Sequence, residues 1–161
     1  MKYLSALLVI SILLTSCGGD EDTECPAASF QNQTLQGEFN GTAWTLASGK
    51  AEVSFFDSEQ LSIEMTNQNT EDVCDAFSLD GNTVLFSVTN AVGLYEICFK
   101  LDGSGSDQTI TLFDGTTNNI VTSGAVEILT ITDTEVTGRI DGRFDDNNFV
   151  NGNFSVPLCG E

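Results

Sequence analysis

The chain has 161 residues, with 24 acidic and 5 basic side chains, no histidine and a formal net charge of −19 at pH 7. This charge opposes binding to nucleic acid or to an anionic lipid surface, because both attract clusters of Lys and Arg. The lack of histidine removes the commonest general base and a common metal ligand, so the composition argues against an enzyme.

The N-terminus carries the pattern of an export signal. Lys2 precedes an apolar run at 4–14, which suits a signal peptide and is shorter than the roughly 20 residues of a membrane-spanning helix. The run ends in Leu14-Thr15-Ser16-Cys17, which resembles the lipobox of bacterial lipoproteins. The resemblance implies a signal peptide at 1–16 and palmitate-type acyl chains on Cys17 that anchor the protein in a membrane. The alternative is a secreted protein cut at the same place, with Cys17 in a disulfide.

Residues 17–24 form a short segment of glycine and acidic residues, which predicts a flexible tether. The segment is similar to the acidic export signal behind the cysteine of surface lipoproteins in Bacteroidota-type bacteria. That similarity implies the cell-surface side of the outer membrane. A plain solvated linker on the periplasmic side is the alternative. The length of the remainder, 25–161, predicts a single domain.

Four further cysteines, an even number in an exported chain, predict two disulfides. Spacing leaves three connectivities open. We expect Cys25–Cys159, which joins the two ends of the domain, and Cys74–Cys98. Zinc is disfavoured, because there is no histidine and no C-x-x-C pair.

Alternating apolar and polar residues predict β-strands along the domain. Less regular runs that still suit strands are 35–39, 43–56, 109–113 and 120–131, the last with either a bulge or burial of both faces. Clear alternation marks 61–66, 84–88, 95–101 and 136–145, and a turn at 145–148 leads to a return strand at 149–158. About nine antiparallel strands without a helix predict an all-β domain, an antiparallel β-sandwich, with a lipocalin-like β-barrel as the alternative.

Several short segments resemble a group of small Bacteroidota-type lipoproteins of unknown function. These are Gly37-Glu38-Phe39-Asn40-Gly41-Thr42-Ala43-Trp44, Gly93-Leu94-Tyr95, Val136-Thr137-Gly138-Arg139 and Gly152-Asn153-Phe154. The resemblance implies an antiparallel β domain on a lipid tether and supplies no catalytic residue.

Two residues are candidates for ligand binding. Lipocalin-like barrels carry Gly-x-Trp on the first strand and a late Arg stacked on that Trp, and Trp44 and Arg139 occupy comparable places with one residue more between Gly41 and Trp44. Trp44 as a core residue of a sandwich is the alternative. Calcium is possible at 102–107 or at Asp141, Asp145, Asp146 and Asn147, but neither stretch has the spacing of a dedicated calcium loop.

The sequence therefore predicts a lipid-anchored, non-enzymatic domain of the cell envelope with a structural or interaction role, without a required cofactor. Its partners would be the membrane, through Cys17, and an envelope protein complex. The alternative function is a carrier or receptor for a small apolar ligand or a sugar. An enclosed pocket lined by Phe and Trp would favour the carrier, and a filled core would favour the interaction role.

Overall fold

The computed structural model describes residues 26–55, 57–100 and 105–160, and these residues form eleven β-strands and no helix. The predicted all-β class is confirmed. The predicted signal peptide, the tether, Cys17 and Cys25 lie outside the described residues. No helix long and apolar enough to cross a membrane occurs in the described part of the chain. The strands are β1 Gln36–Phe39, β2 Thr42–Thr45, β3 Ser48–Val53, β4 Gln60–Thr66, β5 Thr83–Thr89, β6 Gly93–Cys98, β7 Ile110–Phe113, β8 Asn118–Ile120, β9 Ser123–Ile131, β10 Glu135–Asp145 and β11 Asn148–Cys159.

Two differences separate these eleven described strands from the nine or so that the sequence predicts. The run 43–56 contains two strands, because the chain changes partners after β2. The N–H of Leu46 still donates to Leu35, but the N–H of Ala47 donates to Thr66 at the end of β4. The short β8, with three residues, is too brief to show alternation. The predicted bulge in β9 is present, since Ile128 pairs with Gly138 and the register shifts at the next step.

The strands form one open, curled sheet in the order β6-β9-β10-β11-β3-β4-β5-β7-β8, with β1 and β2 attached to β11. We name β1, β2, β6, β9, β10 and β11 half A, and β3, β4, β5, β7 and β8 half B. The halves join where β11 runs beyond its last pair with β10 and its residues Leu158 and Cys159 pair with β3. That pairing is parallel, so the sheet is mixed, whereas the sequence predicts antiparallel strands.

Both halves contribute to one hydrophobic core. Phe86 of half B meets Phe154 of half A edge-to-face, with ring centroids 6.1 Å apart. On β4 the core receives Leu61, Ile63 and Met65, whereas Ser62 and Glu64 face outward. The same alternation on the other strands gives each half an inner apolar face and an outer polar face. A segment without strand structure crosses each outer face, and both segments make polar contacts with the sheet.

Candidate functional site

Trp44, a candidate ligand contact, is buried in the core on β2. Its side chain is 1% exposed and its ring centroid lies 5.4 Å from that of Phe39. Its Nε1 donates a hydrogen bond to the carbonyl oxygen of Asn82 at 2.8 Å. A buried ring whose one polar atom is satisfied is the usual arrangement of a structural tryptophan. This geometry matches the alternative prediction, in which Trp44 is a core residue and not a ligand contact.

Arg139, the second candidate, lies on the outer face of β10. Its guanidinium carbon is 4.3 Å from the ring centroid of Phe30, and its Nε binds the carboxylate of Glu127 on β9. The prediction that Arg139 stacks on Trp44, as in a lipocalin-like barrel, is therefore wrong for this chain. The reason is strand parity, because Arg139 alternates with the buried Ile140 and points away from the core that holds Trp44.

Phe30 belongs to a segment, residues 26–34, that crosses the outer face of half A and that we name the strap. Asn151 on β11, which is 8% exposed, binds the strap through both the oxygen and the nitrogen of its side chain. Its Oδ1 accepts a hydrogen bond from the N–H of Gln31 at 2.8 Å, and its Nδ2 donates to the carbonyl of Ser29 at 2.9 Å and to Asp141 Oδ1 at 3.0 Å. Asp141 Oδ2 in turn accepts from the N–H of Ser29 at 2.7 Å.

Gly152 allows the strap to approach β11 closely. Its φ is +140°, and a Cβ at this position would lie 2.8 Å from the carbonyl oxygens of both Gln33 and Thr34. The backbone of the next residue, Asn153, accepts from the N–H of Leu35 and donates to the carbonyl of Gln33. A larger residue at 152 would push the strap off the strand. The strap is therefore an integral part of the fold.

Half B has its own cover, residues 67–82 between β4 and β5, which we name the cover loop. Lys50 on β3 faces outward by strand parity, yet it is only 3% exposed because the cover loop lies over it. Its Nζ donates to the carbonyl of Ala76 at 2.5 Å. Beside it, Glu64 Oε1 accepts from the N–H of Leu79 at 2.9 Å. Lys50 and Glu64 sit directly opposite each other in the β3–β4 register.

A disulfide joins the cover loop to the end of β11. It links Cys74 and Cys159, whose Cα atoms are 5.3 Å apart. The predicted pairs Cys25–Cys159 and Cys74–Cys98 are therefore wrong. The cover loop carries Cys74 across β3, and Cys159 pairs with Glu52 of the same strand. The spacing of the cysteines in the sequence does not indicate that Cys74 and Cys159 lie close together. Cys98, at the end of β6, is also disulfide-bonded.

A groove of about 560 Å³ runs along the outer face of half B. The Ser62 and Ser87 hydroxyls in it lie 3.0 Å apart across β4 and β5, and Lys50 Nζ pairs with Glu52 Oε1 at 2.9 Å. Its lining combines hydroxyl, carboxylate, carboxamide and ammonium groups, which suit hydrogen bonding to a polar ligand. The polar members are Lys50, Glu52, Gln60, Ser62, Glu64, Ser87, Asp107, Gln108, Thr109 and Thr111.

A polar network joins three turns at one end of the domain. Asn40, in the β1–β2 turn, donates from its backbone to Asn148 Oδ1 at 2.9 Å and from its side chain to Asp114 Oδ2 at 2.5 Å. Asp114 also accepts bonds from the Thr116 side chain and from the backbone of Thr117 and Thr116. These bonds, the Thr116 side chain first, hold the pKa of Asp114 well below its usual value.

The acidic residues that the sequence offered for calcium have other partners. Asp145 accepts from the N–H of Asn147 at 2.8 Å, and this bond is the main cause that lowers the pKa of Asp145. Asp141 binds the strap, and Asp146 is fully exposed. In the described ranges no three acidic or cysteine side chains converge as metal ligands, and the stretch 102–107 is described only from residue 105.

No protein-family model, curated protein or solved structure matches this chain. The function must therefore be argued from the residues and their geometry.

The sequence alone did not identify Lys50 and Asn151 as contacts of the covering segments. Alternation places both on outer faces, where a polar residue is ordinary, and only the covering segments bury them. One local signal exists for the strap. Asn151-Gly152 stands in the middle of a long strand, where both residue types are disfavoured, and such a pair marks a close backbone approach.

Proposed function

We propose that this chain is a lipid-anchored, non-enzymatic domain of the bacterial cell envelope, with a structural or interaction role at the cell surface. The lipobox-like segment ending at Cys17 supports the anchor, and the acidic residues 17–24 support surface export. The observation that carries the interaction role is the filled core around Trp44 and Phe39. The protein's own rings occupy the region where a barrel-type carrier would hold an apolar ligand.

Phe77 on the cover loop is the side chain best suited to contact a partner. It is fully exposed, at 101%. It lies one residue after Ala76, whose carbonyl binds Lys50, and three after the disulfide-bonded Cys74. Because the loop is fixed on both counts, a partner that covers this ring would lose little affinity to loop ordering.

Fatty-acid labelling of cells that produce the full chain tests the anchor. The wild type and a Cys25→Ala control should incorporate labelled palmitate, and Cys17→Ala should not. Undiminished label in Cys17→Ala would overturn the anchor. Protease treatment of intact cells should then remove the domain, and full protection would place it on the periplasmic side.

Cross-linking in intact cells tests the interaction role. We expect the wild type to form a discrete cross-linked species that Phe77→Ser loses. The control is Leu94→Ser, on half A, where the leucine is 54% exposed. This control should retain the species. A carrier role would be supported instead if native mass spectrometry of the purified protein found an apolar molecule bound in stoichiometric amount.

The polar groove favours a second candidate function, a receptor for a neutral or amino sugar. Its volume falls within the usual range of ligand sites, about 300–1,000 Å³. Titration with cellobiose and chitobiose, monitored by calorimetry, should show binding that Ser62→Ala with Ser87→Ala abolishes. The matched control is Thr130→Ala with Thr137→Ala, which removes a similar hydroxyl pair, 2.6 Å apart, on the outer face of half A. Equal loss in both variants, or no binding by the wild type, would exclude this function.

A further inference from the structure

The start of the strap lies beside Cys98. Pro26 and Ala27 line a groove of about 990 Å³ together with Cys98 and Leu94 of β6. Cys98 faces this groove because it alternates with Ile97, which is buried in the core. The path of the strap is set by the bonds of Ser29 and Gln31 to half A, which lead the chain backward across β11 and β10 toward β6.

We propose that Cys25, which immediately precedes Pro26, is the disulfide partner of Cys98, and that this bond fastens the strap to β6. Cys98 is disulfide-bonded, and Cys74 and Cys159 are bonded to each other, which removes both from consideration. Of the remaining cysteines, Cys25 adjoins a residue that already shares a groove with Cys98. Formation of the bond transfers two electrons and two protons from the two thiols to a disulfide oxidant of the envelope, which is reduced to a dithiol.

The backbone around Cys98 gives the bond a fixed attachment point. The N–H of Cys98 donates to Ser106 Oγ at 3.0 Å, and its carbonyl accepts from the N–H of Ser106 at 2.9 Å. On the other strand edge β6 pairs along its whole length with β9. A strap bonded to this residue is therefore held to the sheet and not to a loop.

The bond would also set the direction in which the anchor leaves the domain, an extension that rests on the proposed lipidation of Cys17. From residue 17 to residue 25 the chain can span at most about 29 Å. With the bond in place, the end of β6 stays within about 35 Å of Cys17, because the Cα atoms of a disulfide pair lie about 6 Å apart. Without the bond, the first residue of the strap that is bonded to the sheet is Ser29, four residues after Cys25.

Digestion with an endoprotease that cleaves after glutamate tests the bond on the full, unreduced chain with free thiols blocked. The cuts at Glu24, Glu38, Glu71, Glu96, Glu127 and Glu135 place the four cysteines in separate peptides, 25–38, 72–96, 97–127 and 136–161. We expect 25–38 linked to 97–127, and 72–96 linked to 136–161. A link from 97–127 to a peptide that contains Cys17, or a free Cys98 thiol, would overturn the proposal.

Three variants separate this bond from the anchor. Cys25→Ser and Cys98→Ser should each expose one blockable thiol, and the double variant should expose none. Cys17→Ala should lose palmitate and keep the link between 25–38 and 97–127. If Cys17→Ala keeps its palmitate while the link is present, the anchor fails and the bond stands. If the label depends on Cys17 but the link is absent, the bond fails and the anchor stands.

Discussion

The two outer faces of the sheet are covered in the same way but with different chemistry. The strap crosses half A and the cover loop crosses half B, and each is bonded to a nearly buried polar side chain of the sheet beneath it, among other contacts. Asn151, under the strap, is neutral and uses both its donors and its acceptor. Lys50, under the cover loop, brings a charge into a site that is 3% exposed, and it has a carboxylate and a carbonyl as partners.

The difference indicates how each cover would detach. Loss of the neutral amide of Asn151 leaves no charge without a partner, and Asp141 still accepts the hydrogen bond from the N–H of Ser29. Loss of the Lys50 side chain leaves the Ala76 carbonyl without its partner, beside a position where Lys50 is 3% exposed in the folded protein. A buried polar group without a partner is more costly when the surroundings cannot open. We therefore expect half B to be the more sensitive half, and the following changes test that expectation.

The largest effect should come from the disulfide of the cover loop. Replacement of both Cys74 and Cys159 by serine removes a crosslink between residues 85 apart in the sequence. The loop-entropy model then predicts a loss of about 4–5 kcal/mol in the free energy of unfolding. Urea denaturation of the unreduced proteins measures it, and a loss below about 1 kcal/mol would show that the cover loop is not constrained by this bond.

Lys50→Met should have the next largest effect. The methionine retains the apolar stem of lysine but leaves the Ala76 carbonyl without a partner, which costs about 1–3 kcal/mol. Lys100→Met, two residues after β6, is the control and should stay within about 0.5 kcal/mol of the wild type. Equal losses in the two variants would mean that the burial of Lys50 has no special energetic role.

Asn151→Ala should destabilise the protein by about 1 kcal/mol, near the low end of the range for a lost hydrogen-bonding group, because the lost group is neutral and the bond from Ser29 to Asp141 remains. Asn153→Ala, which removes a contact between two exposed side chains, is the matched control and should cost less than about 0.5 kcal/mol. The comparison between the two covers would be reversed if Asn151→Ala cost more than Lys50→Met.

The smallest effect concerns the polar network of the three turns, whose hydrogen bonds join Asn40, Asp114, Asp145 and Asn148. Folding lowers the pKa of Asp114 and of Asp145 below the ordinary value of 3.8, so both contribute stability above that pH and lose it as the pH falls through their folded pKa values. Unfolding midpoints in urea should therefore decline below about pH 4. Asp114→Asn with Asp145→Asn should flatten that decline, and an unchanged slope would assign it to other groups.

The all-β class and most strand positions could be predicted, because alternation reports directly which residues face the core. The 61–66 and 136–145 runs are examples: both become strands, and alternate residues face the core as far as Gly142 in the second, whereas Phe144 is 40% exposed. The covers could not be predicted in this way. Lys50 and Asn151 are placed correctly by parity, but their burial depends on segments without periodicity, and the Cys74–Cys159 pair depends on where the cover loop crosses β3.

Amide hydrogen exchange of the full, unreduced protein tests the central claim, that both covers are fixed parts of the fold, most directly. The N–H groups of Ser29, Gln31 and Leu79 donate to the side chains of Asp141, Asn151 and Glu64. All three should exchange much more slowly than in an unstructured chain, and Asn151→Ala should release Gln31 without releasing Leu79. Free-chain exchange rates at these three amides in the wild type would contradict the account.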